Sequence, residues 1–157
     1  MSQPYRLVLA SGSAGRRELL EKAGYAFDVI PANIDEPTEA PAGDVRRYVA
    51  ELAWRKAAAV APRVEAGVVL AADSVGWLNG RVIGKPEDAA DAARIIRSLG
   101  GTEHELWTGV CLWRRPDDVQ LCWQEVSRLY MRPLNEKELA EYIASGRRQT
   151  LPQVSHR

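Results

Sequence analysis

Three basic residues of this 157-residue chain stand where each could bind a phosphate group. Arg16 and Arg17 follow a turn of small residues and open a predicted helix, and Lys85 lies between Gly84 and Pro86 before another helix. Small residues let backbone N–H groups approach an anion, a helix N-terminus adds partial positive charge, and guanidinium groups bind phosphate oxygens in pairs. The pattern permits phosphate binding, although a Ser/Gly turn between a strand and a helix is by itself more often a plain connection, and an exposed loop lysine is an equal alternative for Lys85.

Two carboxylates and one further lysine complete the set of candidate site residues. Asp73 follows the apolar run Val68–Ala72, so we expect it at the rim of the sheet, where it could bind a divalent ion or orient a water. Glu36 lies in the acidic loop Pro31–Gly43 and could add a second carboxylate. The alternatives are a turn aspartate bonded to nearby amides and a solvated loop. Lys56, on a long predicted helix, is solvated unless that face lines the site.

Several other kinds of catalytic site are excluded by their missing residues. The chain has no Gly-Lys-Ser/Thr ending of a Walker A loop, no Gly-x-Ser-x-Gly elbow and no Cys-x-x-Cys pair. His104 and His156 are too few for a histidine metal cluster, and neither completes a catalytic triad. Cys111 and Cys122 both lie in apolar, strand-like runs, so we expect two buried thiols rather than a disulfide or a metal site.

Composition predicts a soluble cytoplasmic protein. The 21 basic and 21 acidic side chains cancel, which argues against a general affinity for nucleic acid polymers or anionic membranes but permits a local basic pocket. No apolar stretch reaches the roughly 18 residues of a membrane span. The N-terminus lacks the architecture of a signal peptide.

Strands that alternate with helices predict an α/β or α+β fold with a mixed sheet. Helices are expected over Arg16–Ala23, from an Asp44 N-cap to Val60, from Glu87 to Leu99, and after an Asn135 N-cap with Glu138 in a capping box. Predicted strands are Tyr5–Ala10, Tyr25–Ile30, Val68–Ala72, Val75–Leu78, Arg81–Ile83, Glu105–Trp113 and Val119–Met131, with a type I′ turn at Asn79-Gly80.

These motifs, in this order, resemble the Maf family of nucleotide pyrophosphatases. The resemblance runs from about Leu7 to Gly146 and implies an elongated mixed sheet flanked by helices, as in inosine triphosphatases, with a central cleft. The residues that carry it are Ser11, Ser13, Arg16-Arg17, Asp35-Glu36, Leu52-Ala53, Lys56, Ala72-Asp73, Gly84-Lys85-Pro86, Gly101, His104, Thr108-Gly109, Glu138 and Tyr142-Ile143.

The resemblance implies a reaction and assigns roles to residues. A nucleoside triphosphate would be hydrolysed to the monophosphate and pyrophosphate with a divalent metal ion, Mg²⁺ or Mn²⁺. Glu36 and Asp73 would bind the metal or activate the water, and Lys85 would stabilise the transferring phosphate. Ser13, Arg16, Arg17 and Lys56 would hold phosphates. A homodimer is also expected.

Two features suggest the branch of the family that acts on 7-methyl-GTP. Ala14-Gly15 replace the proline and first arginine of the common Ser-x-Ser-Pro-Arg-Arg opening, and Thr108-Gly109 match that branch. Trp107 could stack on a cationic methylated base.

The sequence after Gly146 departs from the family. Residues 147–157 lack the glycine-rich segment, strand and last helix expected there, so we expect one domain over residues 1–146, truncated or frameshifted, with a disordered tail over 147–157. Loss of that segment would put catalytic activity in question. The alternatives to an enzyme are a non-catalytic regulator that binds nucleotide or a partner and is linked to septum formation, and a degenerate inactive fragment.

Overall fold

The computed structural model describes residues 3–36 and 43–145, and within them it has four α-helices and six strands. The helices are α1 (Ala14–Lys22), α2 (Val45–Val60), α3 (Ala89–Leu99) and α4 (Glu136–Ala144), with a 3₁₀ turn at Ala61–Arg63 after α2. The strands are β1 (Leu7–Leu9), β2 (Asp28–Val29), β3 (Gly67–Leu78), β4 (Arg81–Ile83), β5 (Thr102–Arg115) and β6 (Val119–Met131).

The six strands form one mixed sheet. Their order is β2-β1-β3-β5-β6, and β4 pairs with β3 outside this path. β1 pairs in parallel with β2 and with β3, whereas β3 and β4 are antiparallel. The parallel pairs follow from the connections, because α1 and α2 each carry the chain back before the next strand begins. The predicted class, a mixed α/β sheet flanked by helices, is confirmed; the central cleft stays a prediction.

The described part of the chain divides into two compact units, residues 3–36, 43–74 and 107–125 in the first and residues 75–106 and 126–145 in the second. The first unit packs small and β-branched side chains of β1, α2, β3 and β5 into a core that includes Val8, Ala53, Val69 and Cys111. The second unit has its own cluster, in which Ala93 and Ile96 of α3 pack with Leu139 of α4 and their neighbours. The expectation of a single domain stays a prediction. The predicted disordered tail and the helix end at Gly146 lie outside the described residues.

Local chemistry sets the ends of several elements as predicted. The Asp44 carboxylate accepts the Arg47 N–H at 3.0 Å and caps α2. Asn135 and Glu138 form the expected capping box at the start of α4. Asn79 and Gly80 both have positive φ, 51° and 78°, as the type I′ turn between β3 and β4 requires.

β3 is one long strand where the sequence predicts two. The apolar run ends at Ala72, but the strand continues through Asp73 and Ser74 to Leu78, and its last residues, Gly76–Leu78, pair with Arg81–Ile83. Asp73 and Ser74 interrupt the apolar pattern of the sequence, but they do not interrupt the strand. The prediction that Asp73 lies at the rim of the sheet is therefore wrong: Asp73 lies within the strand and is buried.

The two cysteines have different environments, which corrects the expectation that both are buried. Cys111 is buried in the core of the first unit. Cys122 is exposed, as are most side chains of β6, so little of the described protein covers this strand.

Candidate active site

Lys56 is held between two carboxylates in the first unit. Its Nζ lies 2.5 Å from Asp73 Oδ1 and 3.0 Å from Glu36 Oε1. Only 13% of its side chain is exposed, so Lys56 is not the solvated helix lysine that the sequence offered as the alternative to a site residue. The structure thus brings together three predicted site residues that are distant in sequence, from a loop, from α2 and from β3.

The electrostatics of Lys56 follow from these contacts. Burial alone would lower the pKa of the ammonium group, but the hydrogen bonds and charges of Asp73 and Glu36 outweigh burial and raise its pKa. The ammonium therefore stays protonated in the ordinary pH range. A permanently charged donor keeps both carboxylates oriented towards one point.

The turn of small residues ends in a helix cap rather than in a plain connection. Ser13 caps α1, and its Oγ accepts the backbone N–H of Arg16 at 3.4 Å. The Ser13 N–H in turn donates to Ser11 Oγ at 3.1 Å. Because a hydroxyl that accepts a hydrogen bond still has its own proton to donate, Ser13 remains able to donate to a phosphate oxygen.

The Arg16 side chain points back towards β1 and β3. Its guanidinium donates to Ser11 Oγ at 3.3 Å and to Ser74 Oγ at 3.4 Å. Burial lowers the pKa of Arg16, and the negative charges of Asp73 and Glu36 oppose that decrease. Arginine stays protonated despite such a shift, so Arg16 adds a fixed positive charge beside the two carboxylates.

Sequence analysis did not single out two residues that take part in this arrangement. Ser74, next to Asp73 in β3, shares a 2.9 Å hydrogen bond with Thr108 in β5 as well as the contact with Arg16. Burial raises the pKa of Tyr48 on α2, and the negative charges of Asp73 and Glu36 raise it further. Tyr48 lies two helical turns before Lys56, and this spacing was the available signal.

Arg17, Trp107 and Lys85 are the predicted site residues that do not enter the contacts described above. Arg17 is exposed on α1, and Trp107 is half-buried in β5. Lys85 belongs to the second unit, where it lines a cavity of about 480 Å³ together with Arg81, Arg94 and other residues of β4 and α3. Arg94 in this cavity is paired with Asp91 at 2.6 Å. The roles predicted for Arg17, Trp107 and Lys85 stay predictions.

A fold of this topology with clustered carboxylate, ammonium and guanidinium groups defines a site suited to phosphate chemistry. A family model described as Maf-like protein matches residues 6–152, and the chain belongs to this family. The resemblance stated from the motifs is thereby confirmed.

Curated relatives carry the name of an enzyme. The chain is 46% identical over 145 residues to the dTTP/UTP pyrophosphatase of Anaeromyxobacter sp., covering 90% of this chain and 68% of that protein. It is 39% identical over 149 residues to the dTTP/UTP pyrophosphatase of Geobacter metallireducens, covering 93% and 76%. The family-level expectation of a nucleoside triphosphate pyrophosphatase is thus supported.

Solved structures support the fold. The Staphylococcus aureus Ham1 protein superposes with a TM-score of 0.53 at 20% identity, covering 78% of this chain and 70% of that chain. At this level of identity the likeness concerns the fold alone. No helix in the described part of the chain is long and apolar enough to cross a membrane.

Proposed function

We propose that this chain hydrolyses dTTP or UTP to the nucleoside monophosphate and pyrophosphate. The observation that carries the proposal is the Lys56 ammonium held between Asp73 and Glu36, with the Arg16 guanidinium beside them. The relatives named dTTP/UTP pyrophosphatase supply the substrate class. A cytoplasmic location and a homodimer belong to the same proposal.

The residues present fit a divalent metal ion. Asp73 and Glu36 direct carboxylate oxygens at one shared cation, the Lys56 ammonium, and hard oxygen donors suit Mg²⁺ or Mn²⁺. Among the described residues no group of three or more candidate ligands is gathered. Mg²⁺ commonly takes one or two carboxylates and completes its shell with water and substrate phosphates. When bound, such an ion would neutralise phosphate charge and favour ionisation of a water.

The protein's own residues have distinct roles in this proposal. Asp73, buried and fixed in β3, orients the water that attacks the α-phosphate, and Lys56 holds that carboxylate in place. Arg16 and the Ser13 hydroxyl bind phosphate oxygens, where the N-terminus of α1 adds partial positive charge. Lys85 is assigned to the charge on the transferring phosphate by the family resemblance alone.

The choice of base is the finer part of the proposal. The relatives favour dTTP and UTP, whereas the Ala14-Gly15 and Thr108-Gly109 features favoured 7-methyl-GTP. Thr108 has a second role, since its hydroxyl is bonded to Ser74 beside Arg16. A cationic base would gain from stacking on Trp107, and a neutral pyrimidine would gain much less.

Pyrophosphate release from dTTP, UTP, 7-methyl-GTP and GTP, with Mg²⁺, with Mn²⁺ and with a chelator, tests the proposal. We expect release from dTTP and UTP that the chelator abolishes. Asp73→Asn should lower kcat/KM by roughly 10²–10⁴-fold, because it removes the carboxylate that positions the water.

Asp28→Asn is the matched control, since Asp28 is an exposed carboxylate of the same unit that pairs with Arg6. It should leave kcat/KM nearly unchanged. Faster release from 7-methyl-GTP, reduced by Trp107→Leu, would reverse the assignment of the base. Nucleotide binding by the folded protein without turnover would overturn the enzymatic proposal and favour a regulator.

A further inference from the structure

The thiols of Cys111 and Cys122 lie side by side in the hairpin that β5 and β6 form. Cys122 Sγ donates a hydrogen bond to Cys111 Sγ, and the two sulfurs are 2.9 Å apart. Both residues belong to the first unit. Both thiols are free, and none of the roles assigned above to the active site uses them.

The positions of the two residues suit a covalent bond. β5 ends at Arg115 and β6 begins at Val119, so a short turn joins the strands and makes them antiparallel neighbours. The two sulfurs, 2.9 Å apart, place both side chains on the same face of this pair of strands, as a disulfide between them requires. The sulfurs need to approach by only about 0.9 Å to reach bonding distance, a change within reach of small side-chain rotations.

We propose that Cys111 and Cys122 are a reversible oxidation site that closes an intrachain disulfide when the protein meets a hydroperoxide. In the reducing cytosol expected for this chain the pair rests as two thiols. The disulfide forms under oxidant and is reversed by a dithiol reductant. This inference does not depend on the proposed enzymatic activity.

The different burial of the two cysteines fixes the order of the steps. Cys122 is exposed, so its thiolate attacks the peroxide oxygen, giving a sulfenic acid on Cys122 and, from H₂O₂, one water. Cys111 is 0% exposed, and burial together with the neighbouring Cys122 raises its pKa to about 12, so it stays a thiol until its neighbour has reacted. The Cys111 sulfur then displaces water from the sulfenic acid as its proton leaves. In sum, two thiols and one H₂O₂ give one disulfide and two waters.

The bond would have a mechanical consequence for the first unit. Cys111 packs in the same core cluster as Ala53 and Ala57 of α2, the helix that carries Lys56. A disulfide between Cys111 and Cys122 would fasten β6 to β5 and so to that core, because the Cys111 side chain is itself packed in it. It would also close a loop between residues 111 and 122 in the unfolded chain, and we expect Tm to rise by roughly 5–10 °C.

Tryptic mapping tests the proposal directly. Trypsin separates residues 98–114, which contain Cys111, from residues 115–128, which contain Cys122, because the Arg115–Pro116 bond resists cleavage. After treatment of the folded protein with H₂O₂, and alkylation of the remaining thiols, we expect the two peptides to be linked, with a combined mass lower by two hydrogens. Dithiothreitol should separate them and return Tm to its starting value.

Two variants separate the possible outcomes. Cys122→Ser, at an exposed position, should keep the fold and abolish both the linked peptide and the rise in Tm. Cys111→Ala keeps a small side chain in the core and should leave Cys122 as a sulfenic acid that a dimedone probe traps. Over-oxidised Cys122 without linked peptides in the unmodified chain, or disulfides between two chains on a non-reducing gel, would overturn the proposal.

Discussion

Helices α1 and α2 both supply residues to the candidate active site, but the rest of the protein supports them in different ways. None of the nine residues of α1 is buried. α2 is sixteen residues long and buries six side chains: Val45, Val49, Leu52, Ala53, Ala57 and Val60. Each helix starts with a side-chain cap, yet the cap hydrogen bond is 3.4 Å at Ser13 and 3.0 Å at Asp44.

This difference shows how the site is held. Lys56 is placed by a helix anchored in the core, so its position is set by apolar packing. Arg16 is placed by hydrogen bonds to the hydroxyls of Ser11 and Ser74, which are weaker and more easily rearranged. We infer that the carboxylate–lysine group is the rigid half of the site and that the phosphate-binding turn is the adaptable half.

A matched pair of leucine truncations should produce the largest contrast. Leu52 on α2 is 2% exposed, whereas Leu19 on α1 is 69% exposed. Leu52→Ala should lower the free energy of unfolding by about 3 kcal/mol, because it removes buried methyl groups and leaves a cavity. Leu19→Ala should change it by less than about 0.5 kcal/mol. Urea denaturation measures both, and equal losses would refute the asymmetry.

A pair of glycine substitutions examines the same contrast at the backbone. A Cβ on Gly109 of β5 would collide with the Val49 carbonyl of α2, whereas a Cβ on Gly12 would meet no atom within 4 Å. Gly109→Ala should destabilise the protein by about 2 kcal/mol, since α2 or β5 must shift. Gly12→Ala should stay within about 0.5 kcal/mol of the unsubstituted chain in the same denaturation experiment. If Gly109→Ala destabilises the protein as little as Gly12→Ala does, the close approach of α2 to β5 does not help to hold α2 in place.

Removing the helix caps should produce the smallest and most local effect. Ser13→Ala and Asp44→Ala each delete a cap worth about 1 kcal/mol. In α2 that loss should appear in the global stability, because the helix opens only when its core opens. In α1 it should instead speed amide hydrogen exchange within Ala14–Lys22 and leave the denaturation midpoint almost unchanged. Slow exchange throughout α1 in the Ser13→Ala variant would show that α1 is stabilised by contacts other than the burial of its side chains.

Elements whose ends depend on local chemistry were predictable from the sequence. The capping box of Asn135 and Glu138, the Asp44 cap and the Asn79-Gly80 turn all depend on hydrogen bonds or φ angles within a few residues. The alternation of strands and helices was likewise enough to predict a mixed sheet.

What the sequence could not supply depends on contacts between distant residues. β3 continues through Asp73 to the residues that pair with β4, and no periodicity of side chains records that continuation. Lys56 looked like an ordinary helix lysine because its partners stand 20 residues before it and 17 after it. The exposure of Cys122 depends on what covers β6 in the folded protein, and the apolar run around Cys122 does not record that.

The ion pairs of Lys56 also have a practical consequence for chemical labelling. Acylating reagents attack the neutral amine, and the raised pKa of Lys56 keeps the amount of that form small. The two carboxylates also cover the ammonium group and limit the access of a reagent to it. The other lysines of the sequence are Lys22, Lys85 and Lys137, and all three are exposed. Mild treatment with an amine-reactive fluorophore should therefore tag these three lysines before Lys56, so the tagged protein keeps its carboxylate–lysine group intact.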